Sequence, residues 1–135
     1  MNGLVAGKGK LDTFELCKSY ADWFNSDPFD IGNTTREGLK YCYSGNPQLV
    51  YSKTKVGLGS SSLSNGSLMR STPLAVWCHK LSASEIEQAV PKDTNFIHNN
   101  RLSEQVVIAY CLAIQYLLQH PEDADRGQKA FDVVV

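Results

Sequence analysis

The chain has no CxxC pair, no lysine in Walker order after its glycines, no run of like charge and no apolar run long enough to cross a bilayer. Each absence closes off a class. The cysteines, Cys17, Cys42, Cys78 and Cys111, lie far apart among apolar neighbours. Zinc ligation is therefore not expected, and buried free thiols in a reducing, cytoplasmic setting are. A net charge of −1 without a basic stretch offers nucleic acid and membrane surfaces nothing to attract. No apolar segment near Met1 reads as a signal peptide. Alternating strand patterns and internal repeats are missing too, which leaves helices to build the fold.

What is present is enough for one domain: 135 residues, 42% hydrophobic and 20% charged. Residues 1–10, rich in Gly and Lys, read as a flexible segment, with the domain proper from 11 to 135. Apolar residues at Leu11, Phe14, Cys17, Tyr20, Ala21 and Phe24 follow a helical period to Asn25. Asp12 favours its start, and Asp27-Pro28 ends it. A second helix is expected from a cap at Asn33 or Thr34 to about Tyr43, with Gly45 as its C-terminal residue and Asn46-Pro47 as a stop. A third runs from about Gly66 to Lys80, with Pro73 kinking or restarting it. Ser82 and Glu85 form a capping box for a short helix to about Val90, and a polar loop from Pro91 to Asn100 follows. Leu102 to His120 is apolar on most of its surface and belongs at the centre of a bundle. A last amphipathic helix begins near Glu122.

Two polar stretches carry chemistry. Gly57 to Arg70 opens with glycines and serines, turns at Asn65-Gly66 and then becomes apolar. Glycines allow close approach, hydroxyls and free N–H groups suit phosphate oxygens, and a helix capped by Ser64 or Asn65 would aim its dipole at an anion. A plain Ser/Gly linker ahead of a core helix has the same composition. Phe29 to Thr35 is polar and lies between two helices; its Asp30 either serves a site or bonds nearby backbone N–H groups in a turn. Arg70 is a candidate ligand residue or a solvated charge. His98 ends a polar loop and has a pKa suited to acid–base work or to a cap. His79 and His120 read as surface or helix-end residues.

The segment Asp30-Ile31-Gly32-Asn33-Thr34-Thr35, the segment Ser64-Asn65-Gly66-Ser67-Leu68-Met69-Arg70-Ser71-Thr72-Pro73-Leu74-Ala75, and the spacing from Asp93 to Phe96-Ile97-His98 before a long helix together resemble the ADP-ribosylglycohydrolase family. The three motifs occur in the family's order and run through nearly the whole chain. The resemblance implies an all-α fold, an orthogonal helical bundle or array. It implies a hydrolase of the N- or O-glycosidic bond joining ADP-ribose to a protein side chain or small acceptor, with two magnesium or manganese ions in its cleft. By position, Asp30 would be catalytic and lie near the metals with Asn33. Gly59, Ser64, Asn65 and Gly66 would line the phosphate and ribose region. His98 would contact substrate or hold the loop.

The family holds its metals with a Thr-Asp-Asp motif upstream and an Asp-x-Asp-Thr motif near its C-terminal end. This chain has neither, so no metal ligand is assigned. The resemblance places it as a partial domain, cut at both ends and expected to have little activity alone. Its expected partners are ADP-ribosylated proteins or small molecules. The alternative is a non-catalytic helical scaffold, crystallin-like, that can still bind ADP-ribose.

Overall fold

Capping chemistry sets where the helices begin. The computed structural model describes residues 1–135 and holds eight α-helices with short 3-10 turns and no strand: α1 (Asn2–Ala6), α2 (Thr13–Asn25), α3 (Asn33–Leu39), α4 (Pro47–Val56), α5 (Thr72–Trp77), α6 (Ala83–Thr94), α7 (Arg101–Gln119) and α8 (Arg126–Asp132). Asp12 accepts from the amides of Phe14 and Glu15 at 2.8 and 3.2 Å and starts α2. Ser82 and Glu85 form the expected capping box on α6. Asn100 caps α7 through Ser103 N–H at 2.9 Å.

Several elements differ from the sequence expectation. The first ten residues, expected to be flexible, include α1, which buries Gly3 and Leu4 against α2. Asn46-Pro47 does not stop a helix but starts one. Asn46 accepts from Gln48 and Leu49 N–H, and Pro47, at the first position, gives up an amide no helix bond needs. The helix expected from Gly66 to Lys80 is a series of a 3-10 turn (Leu68–Arg70), α5 and a second 3-10 turn (Cys78–Lys80). Pro73 restarts it, sitting in the first turn of α5. The cap of α3 is Gly32, not Asn33 or Thr34. α6 runs through Pro91 to Thr94, so the expected polar loop is partly helix.

The core gathers around the end of α6. Phe96 and Ile97 are fully buried with Leu39, Val50, Ile86, Val90 and Val107. Tyr20 and Tyr51 lie against the Phe96 ring, with centroids 5.3 and 5.1 Å away and tilted planes. Burial of a side chain such as Phe96 contributes about 1.5–3 kcal/mol. The backbone of Phe96 and Ile97 lies against two glycines. A Cβ at Gly38 would clash with the carbonyl oxygen of Phe96, and one at Gly59 with that of Ile97. α7 packs against α5, α6 and α8, but only Val107 and Cys111 are fully buried on it, while Leu102, Val106 and Leu118 are exposed. It is a flanking helix with one face open, not the fully enclosed centre its composition suggests. All four cysteines are buried free thiols. No helix is long and apolar enough to cross a membrane.

Candidate functional site

A cleft of about 680 Å³ opens between α2, the Asp30–Gly32 turn, α3 and the Gly66–Arg70 segment. Tyr20 and Trp23 form one wall, and Asp30 and Thr35 another; Gly66, Met69 and Arg70 close it. A second hollow of about 530 Å³, between α6, α7 and the last residues, contains none of the motif residues.

The serine-rich loop is tied down by one backbone and one side-chain amide. Asn99 N–H and Asn100 Nδ2 both donate to the Gly59 carbonyl at 2.9 Å, and Asn100 Nδ2 also reaches Ser62 O at 3.2 Å. Thr54 Oγ1 donates to Asn95 O at 2.7 Å. α4 thus holds the turn after α6, and the residues following that turn hold the loop. Thr34 Oγ1 lies 2.9 Å from Ser62 Oγ, which brings the first motif to the second.

His98 is fully buried. Its Nε2 lies 3.0 Å from Ser64 Oγ and its Nδ1 2.8 Å from Ser67 Oγ. Burial first, and the Arg70 charge second, lower its pKa from the ordinary 6.5. No carboxylate opposes this shift, so the ring is neutral at pH 7.

Beside it, Arg70 is locked in place. One terminal nitrogen donates to Asp93 Oδ2 at 2.5 Å and to the Tyr20 hydroxyl; the other donates to Asp93 O at 2.9 Å. Tyr20 donates in turn to Asp93 Oδ1, and the guanidinium carbon lies 4.8 Å from the Tyr20 ring centroid. The side chains of Arg70 and Asp93 are 19% and 6% exposed, so the pair is largely out of water. Burial in particular pushes the Tyr20 phenol well above its usual range and keeps it protonated. Arg70 therefore reaches the cleft with its charge already compensated.

The structure brings Asp30 and Gly66 to the cleft itself, with His98 just behind Gly66. A Cβ at Gly66 would lie 2.7 Å from Thr35 Oγ1 and 3.4 Å from His98 Cε1. Gly66 is needed there for space, since its φ is not positive. Ser64 and Asn65 are exposed on the loop above. Asn33 is exposed in the first turn of α3 and does not line the cleft. Gly59 is buried against backbone, where it packs the loop. The helix expected to aim its dipole at an anion is absent here: neither Ser64 nor Asn65 caps a helix, and a three-residue 3-10 turn follows. Sequence reading missed Ser67, Thr34 and Ser62 as partners of the site, and the fixed Arg70–Asp93–Tyr20 group. Ser67 and Arg70 stand in the second motif and Asp93 in the third, which is the signal that was there to use.

A model of the family described as ADP-ribosylglycohydrolase matches residues 1–134. The chain belongs to the ADP-ribosylglycohydrolase family. It is 33% identical over 129 residues to the ADP-ribosyl-[dinitrogen reductase] glycohydrolase of Rhodospirillum rubrum, a match covering 93% of this chain and 39% of that protein. It is 31% identical over 116 residues to a protein named as an ADP-ribosyl glycohydrolase in Acanthamoeba polyphaga mimivirus, covering 82% of this chain and 34% of the other. The chain thus spans under two fifths of the length of these relatives. No solved structure matches it.

The two dications that the family resemblance implies can be tested against the donors present. Hard cations need several oxygen ligands. No group of three Asp, Glu, His or Cys side chains converges anywhere in the fold. In the cleft Asp30 is the one uncommitted carboxylate, because Asp93 is engaged by Arg70 and Tyr20. These residues do not make a site for a pair of magnesium or manganese ions.

Proposed function

We propose that this chain forms the ADP-ribose-binding part of a glycohydrolase cleft. Its substrates would carry ADP-ribose on a protein side chain or a small acceptor through an N- or O-glycosidic bond. The observation that carries this reading is convergence: of three motifs far apart in sequence, one supplies Asp30 and another Gly66 to the cleft, and the third sets His98 directly behind Gly66. Family membership supports it, as does likeness to a relative named for its action on ADP-ribosylated dinitrogen reductase. The four free thiols agree with a cytoplasmic setting.

In this reading Asp30 exchanges a proton at the glycosidic bond, being the carboxylate that faces the cleft. Gly66 lets the ligand approach backbone. Ser64 and Asn65 bond to it from the loop above, with Gly59 and Asn33 supporting the two loops. Arg70 holds the wall in shape, since Asp93 has taken its charge. The magnesium or manganese implied by the family has no matching donor set among these residues, and no step is assigned to it here.

The deciding experiment is calorimetric titration of ADP-ribose into the chain and into Gly66→Val at matched helicity. Valine would meet Thr35 and the His98 ring edge, so affinity should fall at least about tenfold. Equal affinities would reduce the loop to a connector. A second reading, ADP-ribose binding without turnover, is favoured by the single uncommitted carboxylate in the cleft.

A further inference from the structure

The serine-rich loop and α7 meet at Asn100, whose side-chain amide can face only one way. Its Oδ1 accepts from Ser103 N–H at 2.9 Å and caps α7. Its Nδ2 donates to Gly59 O at 2.9 Å and to Ser62 O at 3.2 Å. A carbonyl cannot donate and a backbone N–H cannot accept. Turning the amide over would set its oxygen against two carbonyls and its NH2 against an N–H. All three bonds hold in one orientation and all three fail in the other.

The two carbonyls depend on Asn100 unequally. Gly59 O also accepts from Asn99 N–H, whereas Ser62 O accepts from Asn100 alone. Ser62 is the residue through which the loop meets the other motifs. Its hydroxyl lies 2.9 Å from Thr34 Oγ1 on α3 and accepts from Ser64 N–H at 3.3 Å. Ser64 Oγ in turn lies 3.0 Å from His98 Nε2, and Gly66, two residues on, lines the cleft. The Ser62 carbonyl is thus held from the start of α7 and its hydroxyl from α3, just ahead of the residues that reach the cleft.

We propose that Asn100 is a positioning residue for ligand binding: besides capping α7, it presets the loop from Gly59 to Ser64, and with it the approach to the cleft at Gly66, before any ligand arrives. The two jobs can be separated. Asp and Ser cap a helix about as well as Asn, and a carboxylate suits a helix N-terminus. Neither replaces the amide donor. An aspartate carboxylate has no proton to give, and a serine hydroxyl stops one bond short of the amide nitrogen. The effect on a ligand rests on the function proposed above; the hold on the loop does not.

Residue-resolved amide exchange of wild type, Asn100→Asp and Asn100→Ser tests the hold on the loop. In both variants the amides of Ser62 and Asn99 should exchange at least about fivefold faster, while those of Ser103 and Glu104, in the first turn of α7, keep their rates. Unchanged loop rates, or a first turn that opens as much as the loop, would overturn the proposal. Calorimetry with ADP-ribose tests the consequence. Affinity should fall about five- to tenfold in Asn100→Ser and further in Asn100→Asp, whose carboxylate faces two carbonyl oxygens, with melting temperatures close to that of wild type. Affinities equal to wild type would make Asn100 a cap alone and overturn the positioning role. If wild type itself binds no ADP-ribose, the proposed function fails, while the exchange rates still decide whether Asn100 holds the loop.

Discussion

Burying an imidazole with no carboxylate beside it sets the sign of its pH response. The pKa of His98 is depressed in the folded chain, so between that value and 6.5 the unfolded chain holds the extra proton. Stability then rises with pH through this window and falls as pH drops below about 6.5, with a slope of at most about 1.4 kcal/mol per pH unit for one proton. Thermal melts from pH 7.5 down to 5 should show this loss, and His98→Asn should flatten it; parallel curves would refute the assignment. Arg70 is the charged group facing the ring from the neighbouring segment, and it deepens the depression. At this scale the sequence was informative about which residue and silent about its surroundings. Motif spacing picked out His98. It could not show that both ring nitrogens are occupied, because Ser67 reads as an ordinary small polar residue near a helix start. Gly66 was legible as a close-approach position, although the reason is the Thr35 side chain and not a left-handed backbone.

The Leu68–Arg70 turn and α6 are joined to α2 by the Arg70–Asp93–Tyr20 group, and the energetic asymmetry of such a group is testable. Removing one partner strands a largely buried charge. Arg70→Ala should lower stability by about 3–5 kcal/mol, while Arg70→Met with Asp93→Leu should recover much of that loss. Urea unfolding of the singles and the double measures it. A single-variant cost under about 0.5 kcal/mol would mean the pair is surface-like. Capping boxes and periodic faces were legible at this scale: Asp12, Ser82 and Glu85 act as their spacing says. Asn46-Pro47 was ambiguous, since the same dipeptide ends one helix or begins the next, and only packing decides. α6 continues past Val90 because the segment that follows is core. Phe96 and Ile97 must be delivered inward, and the exposed Glu87 is the residue whose carbonyl loses its partner at Pro91.

For the molecule as a whole, an all-α architecture followed from the absence of strand patterns and the strength of the helical ones. The place of α7 did not. Its composition suits a helix enclosed on every side, yet Leu102, Val106 and Leu118 face outward. The 135 residues include a cleft, a candidate acid–base carboxylate and the loop proposed to bind, but not the donor set for two hard cations. The purified chain should therefore bind ADP-ribose weakly and show no magnesium- or manganese-dependent release of ADP-ribose from ADP-ribosyl-arginine. A chromatographic assay with and without each metal checks this, and metal-dependent turnover above the metal-free control would refute it.

Gly38 on α3 and Gly59 in the turn after α4 both lie against the backbone of Phe96 and Ile97. At each glycine the atom nearest to an added Cβ would be a backbone carbonyl oxygen, 2.4 Å away at Gly38 and 2.3 Å at Gly59. Variation in this chain is therefore channelled. Exposed Met69 at the cleft, and Ser64 and Asn65 on the loop above it, have room to change, while a Cβ at either glycine would run into a carbonyl oxygen. Any route by which such a cleft acquires a new specificity passes through its exposed positions and leaves those two glycines in place.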